Sequence, residues 1–168
     1  MLHYRSDGTR IFRGDKMSAL GSSANHKTQK RPIVLIIDDD IDAIINIENT
    51  VQNLGCDTLT ATNAVEAQRK LMARKVDLVI LDWCLDRNLQ AGCLIEKVGK
   101  ILKKFSTIED LKQNQKNKIH FVIHSSLSED QIQVPASEYF TRIEHWQKPL
   151  QRNDLVKKTT DVLKVIGY

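Results

Sequence analysis

The stretch VLIIDDDID, Val34–Asp42, decides the fold. Ile33–Ile37 is an unbroken apolar run, mostly β-branched, with no polar residue alternating through it. A strand of that composition is buried on both faces, as strands of parallel sheets are. The run ends in three adjacent carboxylates, Asp38, Asp39 and Asp40. Like charges repel, so either the three sit in a solvated loop or something positive sits among them. The positions of the other polar residues discriminate between these readings.

Working outward, Ile41, Ile44, Ile45, Glu48, Val51 and Leu54 follow helical spacing, and Gly55 stands where a helix-terminating glycine would. Asp57–Ala61 alternates as an edge strand does. Ala64, Ala67, Leu71 and Met72 form a second helical stripe, with Thr62 or Asn63 as its N-cap. Val76–Leu81 is another apolar run, followed by a helix carrying Cys93, Leu94, Val98, Ile101 and Leu102 on one face. Ile119–His124 and Ile143–Gln147 read as strands. A last helix, about 152–166, turns Leu155, Val156, Thr159, Val162, Leu163 and Ile166 inward. Five alternations of strand and helix predict an α/β fold: a doubly wound, five-stranded parallel sheet of flavodoxin-like order 2-1-3-4-5. Two places are irregular. Residues 103–118 are long and polar, and Ser106 and Glu109 have capping-box spacing for an extra short helix. Residues 128–141 should hold the fourth helix, shortened or distorted by Pro135.

The length of 168 residues suits one domain with a core and a tail. Its 41% hydrophobic and 27% charged residues are ordinary for a globular chain. No apolar run approaches the roughly 18–20 residues of a membrane span. The N-terminus lacks the apolar core of a secretory signal. The net charge of +4 is unevenly placed. Residues 1–31 hold seven Lys or Arg against two Asp or Glu, giving +5, and residues 32–168 hold 18 against 19, giving −1. Residues 1–31 are therefore expected to be a basic, disordered extension, and 32–168 the folded domain. Nucleic acid is not an expected partner of that domain. Cys56, Cys84 and Cys93 are odd in number and have no CxxC spacing, which fits a reduced, cytoplasmic chain with structural thiols.

In an open α/β sheet, ligands bind beyond the carboxyl ends of the strands. Asp38, Asp39 and Asp40 follow the first strand, Asp82 the third, Ser125 and Ser126 the fourth, and Lys148 with Pro149 the fifth. Hard carboxylate oxygens suit Mg²⁺ or Mn²⁺, which converts the repulsion of Asp38, Asp39 and Asp82 into coordination. Asp82 is then placed as a nucleophile that can form an acyl phosphate. Ser125 can donate to one phosphoryl oxygen, and Lys148 offers a point charge to another. Phosphoryl transfer asks for little more than this positioning and neutralisation.

These residues resemble the receiver domain of two-component response regulators. The resemblance spans about residues 32–166 and rests on four motifs in the family's order: VLIIDDD (Val34–Asp40), VILDW (Val79–Trp83), VIHSS (Val122–Ser126) and QKP (Gln147–Pro149). The resemblance implies that Asp38 and Asp39 hold Mg²⁺, that Asp82 accepts the phosphoryl group, and that the backbone carbonyl of Cys84 is a further metal ligand. It gives Ser125 the role of the switch hydroxyl and Lys148 that of the family's lysine, with a cis bond to Pro149. His145 stands where the family tends to carry an aromatic switch residue. Asp40 has no fixed role in the family and reads as the N-cap of the first helix.

The sequence departs from the family where it has Asp86 in place of a usual proline, in the loop Asp86–Gly92, in the 103–118 insertion, and in VPASEYF before the fifth strand. The chemical site is intact while the readout face is remodelled. The implied function is a non-enzymatic phosphoacceptor switch, at most self-catalysing its own phosphorylation and dephosphorylation. A sensor histidine kinase or histidine phosphotransfer protein would supply it, and a downstream protein would read it. With no output domain recognisable in the sequence, it reads as a single-domain regulator or an excised receiver. Two alternatives stand beside this. One is a pseudo-receiver that binds protein without phosphorylation. The other is a phosphatase of the haloacid-dehalogenase type, whose D-x-D spacing Asp38 and Asp40 satisfy but whose next expected residue is replaced by Asp42. Trp83 and Trp146 are either rim residues of the site or core packing.

Overall fold

The structure, a computed structural model, describes residues 3–4, 10–11, 30–85, 92–105 and 118–168. In chain order the strands are β1 (His3–Tyr4), β2 (Arg10–Ile11), β3 (Ile33–Ile37), β4 (Asp57–Ala61), β5 (Leu78–Leu81), β6 (Ile119–Ser125) and β7 (Phe140–Gln147). The helices are α1 (Ile41–Asn53), α2 (Ala64–Ala73), α3 (Gly92–Phe105) and α4 (Arg152–Val165). The five long strands lie in the order β4-β3-β5-β6-β7, all parallel. That is the order 2-1-3-4-5 expected from the alternation of strand and helix.

The sheet also carries two strands that the sequence did not suggest. β1 and β2 pair with each other antiparallel, and Arg10 of β2 pairs with Thr58 of β4. β4 would otherwise be an edge with unpaired backbone groups, and a short antiparallel addition satisfies part of it. Apart from Lys30 and Arg31, the rest of the basic extension lies outside the described residues, as does the proposed capping box at Ser106 and Glu109.

Apolar side chains cover both faces of the sheet. On one, Leu35, Ile37, Val79, Leu81, Phe121 and Ile123 pack with Ala67 and Leu71 of α2 and with Leu94, Ile95 and Val98 of α3. On the other, Val34, Ile36, Ile80 and Val122 pack with Ile44, Ile47 and Val51 of α1 and with Leu155, Val162 and Leu163 of α4. Local chemistry sets the helix ends. Asp40 caps α1, accepting from the amides of Asp42 at 2.9 Å and Ala43 at 3.4 Å. Asn63, rather than Thr62, caps α2 by accepting from Glu66 N–H at 2.9 Å. Gly55 follows α1 with φ +86°, a left-handed conformation that favours glycine.

Several inward assignments are corrected. Ile41 and Ile45 are 63% and 47% exposed, and the buried stripe of α1 is Ile44, Ile47, Glu48 and Val51. Four isoleucines within seven residues admit two stripes, and the packing against β3 selects the one through Ile47. Met72, Cys93 and Val156 are likewise exposed, each flanking a buried stripe. The largest departure lies between β6 and β7. In place of a fourth crossover helix there is a single 3₁₀ turn, Glu129–Gln131, and then chain without regular secondary structure up to β7. Pro135 and the short polar sequence leave too few residues to nucleate a helix.

Candidate functional site

The parallel strands end at one edge, and the polar residues expected there meet. Asp38 follows β3 and Asp82 follows β5, held level by the register Ile37↔Leu81 and by donation from Asp82 N–H to Ile37 C=O at 2.8 Å. Potential ligand oxygens of Asp38, Asp39 and Asp82 all lie within 4.8 Å of one another. Asp38 and Asp82 are buried, at 1% and 6% exposure, while Asp39 is exposed. The positive group among them is Lys148. Its ammonium donates to Asp38 Oδ2 at 2.8 Å and lies 3.2 Å from Asp82 Oδ2. Its backbone is tied to β6, Lys148 N–H donating to Ser125 C=O at 2.8 Å; the Lys148–Pro149 peptide is cis.

The electrostatics differ at the two ends of this ion pair. Burial pushes the Asp38 carboxyl above its usual range, against the bonds from Lys148 and from Asp40 N–H (3.0 Å) that hold it down. Burial also lowers Lys148, but there the two carboxylates outweigh it and the ammonium is held above its usual value. The difference follows from the partners: Lys148 faces two carboxylates, whereas Asp38 has one ammonium and also the like charge of Asp82 beside it.

Ser125 ends β6 fully buried. Its hydroxyl accepts from Leu127 N–H at 3.2 Å and lies 3.9 Å from Cys84 Sγ. Cys84 N–H in turn donates to Asp82 Oδ1 at 3.2 Å, so Ser125 sits beside the residue two beyond Asp82. Ser126 is exposed, on a crevice shared with Asn46 and Leu150 of the α1 side, and its carbonyl accepts from the Gln147 amide at 2.8 Å. Ser125 ends the strand while Ser126 lies beyond it, and Ser125 is the one whose hydroxyl lies beside Cys84. His145 lies within β7, opposite Ile123, and its Nε2 is buried with no hydrogen-bond partner among the described residues. Trp83 and Trp146, at 1% and 0% exposure, belong to the two core clusters and not to the rim.

One neighbour was not singled out by the sequence as part of the site. His124 is buried, as a packed strand residue should be, but its Nδ1 lies 3.9 Å from Asp38 Oδ2. Burial, then Lys148 and His145, pushes its pKa down to about 4, so the imidazole is neutral at pH 7 and adds no charge to the cluster. The available signal was its place directly before Ser125 at the end of a strand.

The donor set fits a hard divalent cation. Three carboxylates converge, one of them is open to solvent, and a single ammonium does not neutralise all three. No model of a known protein family matches the sequence, and no curated protein matches it. Solved structures do match. A two-component response regulator from Clostridium difficile superposes with a TM-score of 0.61 at 22% identity, covering 82% of this chain and 100% of that one. A CheY-like receiver domain from Methylobacillus flagellatus gives 0.60 at 18% identity, covering 82% and 99%. The chemotaxis response regulator CheY4 of Vibrio cholerae gives 0.59 at 21% identity, covering 80% and 100%. The architecture is thus a flavodoxin-like, doubly wound sheet. Within that class it is the fold of response regulator receiver domains. Among the described residues, no helix is long and apolar enough to cross a membrane.

Proposed function

We propose that this chain is a phosphoacceptor receiver domain that takes a phosphoryl group on Asp82 and signals by a change in conformation. The observation that carries this reading is the placement of Lys148. Its ammonium bridges buried Asp38 and Asp82 while Asp39 stays open beside them. In the transfer, a carboxylate oxygen of Asp82 forms a bond to phosphorus as the bond from phosphorus to the donor's imidazole nitrogen breaks. Asp38, Asp39, Asp82 and the carbonyl of Cys84 would hold Mg²⁺ or Mn²⁺, which would neutralise charge on the phosphoryl oxygens when bound. Lys148 stabilises another of those oxygens, and Ser125 donates to the third. Ser125 then gives up its present bond to Leu127 N–H, which loosens the start of the segment leading to β7.

The partners this reading requires are a sensor histidine kinase or histidine phosphotransfer protein and a downstream protein, in the cytoplasm. The chain is an acceptor and not a turnover enzyme. Asp40 speaks against the haloacid-type phosphatase, because its carboxylate is committed to the amides that open α1. The pseudo-receiver reading draws on one observation, the single turn where a fourth helix was expected, which alters the surface a partner would read. Transfer from a phosphorylated histidine phosphotransfer protein tests the choice. Label should move to the wild type in Mg²⁺ and not to Asp82→Asn. No transfer to either favours the pseudo-receiver.

A further inference from the structure

We propose that the chain binds a nucleotide-sized organic anion in a second site, a basic cavity at the amino-terminal ends of the parallel strands. This cavity lies at the opposite edge of the sheet from Asp82, bordered by Asp77 just before β5 and by Ile119 and His120 at the start of β6. The four residues of β5 separate the two sites, about 13 Å at some 3.3 Å per residue. The inference does not depend on the phosphoacceptor reading.

The volume, about 620 Å³, is of the size that takes a small molecule. Its side-chain charge is one-sided. Lys30, Arg74, Lys75 and Lys118 line it against one carboxylate, Asp77. Asp77 is already engaged: it accepts from Ile33 N–H at 2.9 Å and from the Tyr168 hydroxyl. Lys30, Lys75 and Lys118 have no ion-pair partner among the described residues. Burial keeps His120 below its usual pKa, so it is a neutral donor or acceptor here, not a fifth cation. Net positive charge gathered in a concave site attracts anions.

The second observation is Tyr139. It is 4% exposed, it lines the cavity, and its hydroxyl is buried without a hydrogen-bond partner among the described residues. The oxygen itself has almost no accessible surface, so a ligand acceptor reaches it through a small shift of the wall, and the pairing is then favourable because a buried hydroxyl left unpaired is destabilising. The remaining walls are apolar or aromatic: Ile119, Ile166 and the ring of Tyr168. A bare phosphate would use the lysines and waste these walls. A neutral nucleoside would use the walls and leave the cations unpaired. A molecule with both an aromatic body and a phosphate uses all of them.

The test is an NMR titration of the full chain in EDTA, which keeps divalent ions off the acidic edge, with AMP, pyrophosphate and adenosine as probes. AMP should shift the amides of residues 74–77, 118–120 and 139, leave 38–40 and 82–84 unmoved, and bind at least about 10-fold more tightly than either fragment. Lys75→Glu with Lys118→Glu should weaken AMP by more than about 10-fold. Tyr139→Phe, which removes only the hydroxyl oxygen, should weaken it about 3- to 10-fold while the melting temperature of the free protein stays the same or rises. Pyrophosphate binding as tightly as AMP would reduce the site to a cationic patch and overturn the proposal. So would AMP affinity unchanged in the double variant, no shift with any probe, or tighter occupation by a duplex oligonucleotide than by AMP.

Discussion

Replacing Lys148 with methionine keeps most of the side-chain volume and removes the one cation between two buried carboxylates. The structure sets the size of the effect. The ammonium lies 2.8 Å from Asp38 and 3.2 Å from Asp82, whose side chains are 1% and 7% exposed. Removing one partner of a buried ion pair costs about 3–5 kcal/mol. Two features reduce that here: the lysine is partly in water, and Asp38 can take up a proton. A loss of about 2–3 kcal/mol is expected in metal-free buffer at pH 7, a fall in melting temperature of about 6–12 °C for a domain of this size. The effect should depend on pH in a definite sense. Asp38 titrates above its ordinary 3.8 in the folded protein, so its ionisation removes stability as the pH rises from 3.8 to its folded value and costs no more above that. Without Lys148 that value rises further. The loss in Lys148→Met should therefore grow as pH rises through the folded pKa of Asp38, and vanish below 3.8, where the group is protonated in both states. Urea titrations of wild type and variant in EDTA, read by tryptophan fluorescence between acid and neutral pH, measure this. A difference under about 0.5 kcal/mol at pH 7, or one that does not shrink in acid, would refute the view that Lys148 holds the cluster together.

Three further outcomes follow from the same geometry. Mg²⁺ should raise the melting temperature of the wild type, and Asp39→Ala should abolish the rise; an equal rise in the variant would place the ion elsewhere. Asp40→Ala should cost about 1 kcal/mol by uncapping α1 while leaving phosphoryl uptake intact, and a loss of uptake in a folded Asp40→Ala would give that carboxylate a chemical role. Beryllofluoride, a phosphoryl mimic, should slow amide exchange in residues 125–140 and around Lys148 more than in α1, with Ser125→Ala losing much of that protection. Slowing confined to 38–40 and 82–84 would mean that the response stays local.

The sequence made the site more legible than the surface around it. Buried parallel strands appear as unbroken apolar runs, and the residue after each run is placed by the sheet itself. Asp38, Asp82, Ser125 and Lys148 could thus be brought together before any coordinates. Helix faces were harder, because Ile41, Ile44, Ile45 and Ile47 are all apolar and only packing against β3 selects among them. The β1 and β2 pairing was not legible. Two-residue strands have no periodicity, and they form because β4 offers an open edge. The 128–141 segment was readable as a poor helix from Pro135, but not as one turn followed by irregular chain. His124 reads in the sequence as a packed strand residue, which it is, but its nearness to Asp38 was not legible, because a buried histidine and one beside a carboxylate look alike in sequence.

The central claim is that Asp82 accepts a phosphoryl group, and intact-mass spectrometry after incubation with acetyl phosphate and Mg²⁺ tests it most directly. The wild type should gain about 80 Da, lose it at alkaline pH as an acyl phosphate does, and fail to gain it with EDTA or as Asp82→Asn. A wild type that gains no mass, or an Asp82→Asn variant that gains it as fast as wild type, would contradict the claim.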